Sequence, residues 1–87
     1  MSPSELFWRL SCEIDEVLSS YAYAFSNFTR ERLESRSGAL YLRYQSGDRD
    51  AAAEGLMGLL HVCWLCVSYY DRTREMLAVF SQSDFDI

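Results

Sequence analysis

Residues 56–70 read LMGLLHVCWLCVSYY, and only His61 and Ser68 clearly interrupt the apolar run. A helix built from this stretch is apolar on almost every face. One partner helix covers only one stripe of such an element, so it demands a second layer, from another copy or from a different protein. The run is shorter than the roughly 18–20 residues that span a bilayer. Asp48, Asp50 and Glu54 precede it, and Asp71 and Arg72 follow it. These charges predict a core or interface helix and no membrane insertion.

The surrounding sequence extends this helix in both directions. Ser46-Gly47-Asp48 has turn chemistry, Asp48 or Asp50 is a fitting cap, and Ala51, Ala52 and Ala53 favour helix strongly. Leu56, Leu59, Cys63, Cys66, Tyr70, Thr73, Leu77 and Phe80 follow at alternating steps of three and four. That spacing keeps one stripe facing a neighbouring helix. Leu60, Val62, Val67, Tyr69 and Met76 broaden the stripe, while Met57, Trp64 and Leu65 lie away from its centre. The expected core or dimer seam is therefore Leu56, Leu59, Leu60, Cys63, Val67 and Tyr70. Glu54, His61, Ser68 and Glu75 form the one consistently polar line.

A first helix begins at Ser2-Pro3-Ser4-Glu5, which fits a capping box with proline at the first helical position. Phe7, Leu10, Ile14, Val17, Tyr21, Ala24 and Phe28 follow at heptad spacing, widened by Leu18 and Phe25. The pattern predicts one long helix ending between Asn27 and Ser35, with Gly38 as a natural stop. Early acidic residues and the late Arg30, Arg32 and Arg36 complement its dipole. Residues 38–47 then join the two helices, with a short helix near 39–45. The expected fold class is all-α: two long antiparallel helices with a short connecting helix or turn. Two copies would complete a four-helix bundle. Residues 1–80 form a single helical domain, and 81–87 a flexible acidic tail.

The composition limits what such a chain does. Hydrophobic residues make up 49% and aromatics 15% of 87 residues, more than a thin two-layer core uses. Aromatic surplus is typical of interfaces. The net charge is −5, with no basic stripe, which argues against nucleic acid as a partner. All eight basic residues are arginine, so lysine chemistry is excluded. The three cysteines, Cys12, Cys63 and Cys66, are not preceded by an export signal and read as reduced thiols in a cytoplasmic protein.

His61, Cys63 and Cys66 spell H-x-C-x-x-C, which raises a metal-binding or redox alternative. Helical geometry weighs against it, because His61 points about 160° away from Cys63. Thiolate chemistry also favours a helix N-terminus, and these cysteines are mid-helix. The lone histidine has no orienting carboxylate nearby, and no glycine-rich phosphate loop is present. No catalytic residue, metal or cofactor is expected. Trp8, Cys12 and Tyr23 form a second line on the first helix. Together with Met57 and Trp64 they are the candidate partner-binding residues, since aromatic side chains often anchor binding. The expected function is a small regulatory antagonist or adaptor, with a phage-type inhibitor of a host protein as the alternative. It would be a homodimer that masks a partner protein through its helical faces.

Overall fold

A computed structural model describes the backbone of residues 2–85 and the side chains of residue 2 and residues 4–79. Among these the chain is all-α, with no strand. The helices are α1 (Pro3–Ser20), a single 3-10 turn (Ala22–Ala24), α2 (Asn27–Gln45) and α3 (Arg49–Phe85).

The start of α1 follows the expected cap: Ser2 Oγ accepts from the Glu5 N–H at 3.2 Å, with proline in the first turn. The long first helix does not form. It stops at Tyr21, whose φ/ψ of −114°/36° leaves the helical region. Ser26 then opens α2, its hydroxyl accepting from the Thr29 N–H at 3.1 Å. The physical reason is a competition between the apolar seam and local cap chemistry. Serine and asparagine bond the backbone readily outside helices. Arg30 completes the corner by donating from Nη2 to the Leu18 carbonyl at 2.8 Å, satisfying an acceptor that the end of α1 leaves open. Phe25 is buried beyond the break, whereas Phe28, the last residue of the expected seam, is 68% exposed.

The joint at 38–47 is also corrected. Gly38 does not stop a helix; α2 runs through it to Gln45. The true joint is Ser46-Gly47-Asp48. The Asp48 N–H donates to the Arg43 carbonyl and the Gly47 N–H to the Tyr44 carbonyl, at 3.3 and 3.1 Å. This paired closure needs a left-handed residue, and Gly47 supplies it with φ of 102°. Arg43 Nε also bonds the Asp48 carboxylate at 3.0 Å, an exposed pair of small energetic weight.

The chain thus runs up, down and up. The N-terminal end of α1 meets the C-terminal end of α2, where Phe7 stacks on Tyr44 at 4.2 Å and the Ser4 and Tyr44 hydroxyls bond. Both helices pack on α3. The core joins Phe7, Leu10, Ile14, Val17 and Leu18 of α1 to Leu33 of α2 and to Ala52, Leu56, Leu59, Cys63 and Val67 of α3, with Phe25 between. Two helices from one chain already flank α3, so the protomer holds three long helices where two with a short joint are expected.

α3 is far longer than its supports. Its 37 residues reach about 55 Å, against about 27 Å for the 18 residues of α1. The longest dimension of the molecule is 62 Å. Tyr70 still touches Tyr23 at a ring separation of 5.4 Å, but the described side chains from Arg74 to Val79 are all exposed. The α3 backbone stays helical through Phe85; the expectation of a loose tail over 81–87 falls partly on residues 86–87, which lie outside the described residues.

Candidate interaction surface

The expected seam on α3 divides by depth. Leu56, Leu59, Cys63 and Val67 are buried, and Leu60 and Tyr70 are partly buried beside them. Cys63 is fully enclosed. Burial, and then the neighbouring Cys66 thiol, push its pKa up to about 11. A thiol so poorly ionised is a weak nucleophile and behaves as a small apolar side chain. His61 lies on the exposed side of the same helix, and Cys12 is exposed on α1. Among the described residues, no group of three or more His, Cys, Asp or Glu side chains is placed to hold a metal ion.

The five candidate partner-binding residues are all exposed but do not share one surface. Trp8 lies against Phe7 and against Tyr41 of α2, at ring separations of 5.7 and 5.8 Å. Cys12 is one turn further along α1, beside Trp8 in a shallow cleft with Ser4 and Arg9. Trp64 meets Tyr21 at the other end of α1, at 5.3 Å. Tyr23 stands in the 3-10 turn between Tyr21 and Tyr70, at 6.1 and 5.4 Å. Its phenol is held above the ordinary tyrosine range by desolvation among these rings, then by Asp71. Met57 precedes Trp64 by one heptad on the same flank of α3.

The sequence reading overlooked a different stripe. Gly58, Val62, Leu65, Tyr69, Arg72 and Met76 repeat at alternating steps of four and three along α3, and all are exposed. Exposure is 43% at Val62, 54% at Leu65, 74% at Tyr69 and 65% at Met76. The signal is present in the spacing, but the stripe lies between the buried seam and the polar line, so that Val62, Tyr69 and Met76 read as a broadening of the seam and Leu65 as a residue away from its centre. Beside the stripe, α2 and α3 enclose a groove lined by Arg36, Ala39, Leu40, Gly55, Gly58 and Val62. At Gly55 a β-carbon would stand 2.5 Å from Leu40 Cδ2, so glycine is what lets α2 sit this close; at Gly58 a β-carbon would meet nothing within 4 Å.

By length and composition alone, residues 49–79 of α3 suffice to cross a bilayer. One side of that segment, from Ala52 to Val67, is packed against two helices whose exposed residues include Glu13, Asp15, Glu16, Arg32 and Glu34. The core helix of a small bundle has this same combination of length and apolarity. Compared with protein-family models, with curated proteins and with solved structures, the chain matches none.

Proposed function

We propose that this chain is a small, non-enzymatic protein-interaction module of the cytoplasm, a regulatory antagonist or adaptor that acts by covering a surface of another protein chain. The observation that carries this reading is the amount of large apolar surface left open on α3 after α1 and α2 have packed. Trp64 and Val62 are 42% and 43% exposed, and Leu65, Tyr69 and Met76 more so. Val62, Leu65, Tyr69 and Met76 recur along one flank of α3, and exposed apolar surface of this kind on a small protein marks a contact site. The chemistry of the thiols supports the same reading, since Cys63 is spent on the core.

The test is capture from the native cell with the tagged full chain, followed by mass spectrometry. A stoichiometric protein, lost when Leu65 or Trp64 is replaced by glutamate, supports the module. Zinc or iron retained in stoichiometric amount by the purified chain, and lost on replacing His61 and Cys66, would instead establish the metal-binding alternative.

A further inference from the structure

We infer that the open stripe on α3 is covered by a second copy of this chain, the two α3 helices lying antiparallel so that the overhanging end of each enters the α2–α3 groove of the other. This rests on the reading of α3 as an interaction helix and names its occupant.

Four observations carry it. The first is spacing: Gly58, Val62, Leu65, Tyr69, Arg72 and Met76 hold the alternating three-four rhythm of a helix-pairing seam. It is a second seam, distinct from the buried one that α1 and α2 already use.

The second is area. The protomer exposes 6500 Å², whereas a compact monomer of 10.1 kDa exposes about 5,300 Å². The excess of about 1,200 Å² comes with the elongated shape of the protomer, and it leaves room for the roughly 800 Å² that each partner contributes to a standard interface.

The third is length. Helix α3 is far longer than either of its supports, and its described side chains from Arg74 to Val79, Met76 and Leu77 among them, are all exposed. An antiparallel copy lays this end alongside the first half of the other α3, where Gly58 leaves open space.

The fourth is charge, and it sets the orientation. Helix α2 carries Arg30, Arg32, Arg36 and Arg43 against Glu31 and Glu34, and Arg36 borders the groove. From Glu75 onward the sequence has Glu75, Asp84 and Asp86 and no basic residue. Antiparallel pairing carries Glu75 of one copy toward the groove of the other that Arg36 borders. Parallel pairing would set the two Glu75 carboxylates on neighbouring ends, where like charges repel.

We place Tyr69 at the two-fold axis, in the middle of the exposed stripe; Val62 then lies level with Met76 of the second copy, and Leu65 with its Thr73, next to Arg72. His61 then flanks Glu75 of the second copy. The arrangement is isologous, each patch meeting itself, and it closes at two copies.

Sedimentation velocity on the full chain at micromolar concentration tests this. The expected species is a dimer. Leu65→Glu converts it to a monomer with unchanged helical circular dichroism, because Leu65 is already exposed in the protomer. Asp15→Arg, on the outer face of α1, leaves the dimer intact. Orientation is read from disulfides in a Cys12→Ser, Cys66→Ser chain. Tyr69→Cys should cross-link to itself, and Met76→Cys should cross-link to Val62→Cys. A self-linked Met76→Cys chain means parallel pairing and overturns the inference. A monomeric full chain overturns it too. So does partition onto lipid vesicles that Leu65→Glu abolishes. In the monomer case the interaction module itself survives if capture of a different protein still depends on Leu65. Failure of the dimer and failure of the module are thereby separable.

Discussion

Two glycines on α3, Gly55 and Gly58, stand one turn apart and should respond differently to the same substitution. Replacing a helical glycine by alanine removes backbone freedom from the unfolded chain and stabilises the helix by about 1 kcal/mol. At Gly58 the added methyl meets nothing within 4 Å in the protomer, so the whole gain should appear. At Gly55 the new carbon would stand 2.5 Å from Leu40 Cδ2 and 3.1 Å from Cδ1. Something must move, and the atoms met are the mobile end of a leucine side chain. That places the overpacking cost near the low end of its range, about 1 kcal/mol, which cancels the gain. The comparison belongs in the Leu65→Glu background, where self-association does not contribute. Thermal unfolding by circular dichroism should show Gly58→Ala raising Tm by about 4–8 °C and Gly55→Ala leaving it nearly unchanged. Equal stabilisation by both would mean that α2 is not seated on Gly55. Destabilisation by Gly58→Ala would mean that Gly58 is covered within its own chain. Without Leu65→Glu, Gly58→Ala should stabilise less, because the methyl then enters the space offered to the second copy.

Ser26→Ala removes the cap that separates α1 from α2 and should cost about 1 kcal/mol, read from the urea midpoint. Gly47→Ala forces a β-carbon into a φ of 102° and should cost about 1–2 kcal/mol in the same assay. Tyr44→Phe keeps the stack on Phe7 but strands the Ser4 hydroxyl, for a loss of about 1 kcal/mol. Cys63 makes stability depend on alkaline pH. Its folded pKa is raised from 9.0 to about 11, so the native state holds a proton that the unfolded chain has released. Stability from this source is intact below about pH 9 and declines between about pH 9 and 11, by roughly 2–3 kcal/mol in total. Urea unfolding at about pH 8 and about pH 10.5 should show a smaller loss in Cys63→Ala than in the parent chain; equal losses would refute the assignment.

The helical class and the inner seam were legible because both rest on strong local periodicity. Ser2-Pro3-Ser4-Glu5 marks a start, and Leu56, Leu59, Cys63 and Val67 repeat at core spacing. The corner at 21–26 was not legible from periodicity, since Tyr21, Ala24 and Phe28 prolong the heptads of α1 beyond its end. Only Ser26-Asn27 betrays the break, by cap chemistry. The sequence pattern assigns the first part of α2 to the end of the first helix and residues 38–45 to a joint, because the inner face of α2 is thin: Leu33 is buried, Leu40 and Tyr44 are partly so, and the rest is mostly polar. Such a helix gains its stability from packing on α3 and shows little amphipathic signal of its own.

The same thinness explains why α3 keeps so much open surface. A bulky apolar α2 would spread over both stripes of α3, whereas a helix approaching at Gly55 through Leu40 covers the inner stripe and leaves Val62, Leu65 and Tyr69 beside it. The breadth of the apolar run at residues 56–70 therefore has two sources. Leu56, Leu59, Cys63 and Val67 answer to α1 and α2. Val62, Leu65 and Tyr69 answer to nothing in their own protomer that buries them. Val62, Leu65 and Tyr69 are 43%, 54% and 74% exposed, so covering what remains of them is worth about 1–2 kcal/mol each, a driving force that folding of the single chain does not use and that association does. Because the two sets sit on separate flanks of one helix, a substitution at Leu65 should disturb assembly and spare the fold, while one at Leu56 should unfold the protomer before assembly can be measured.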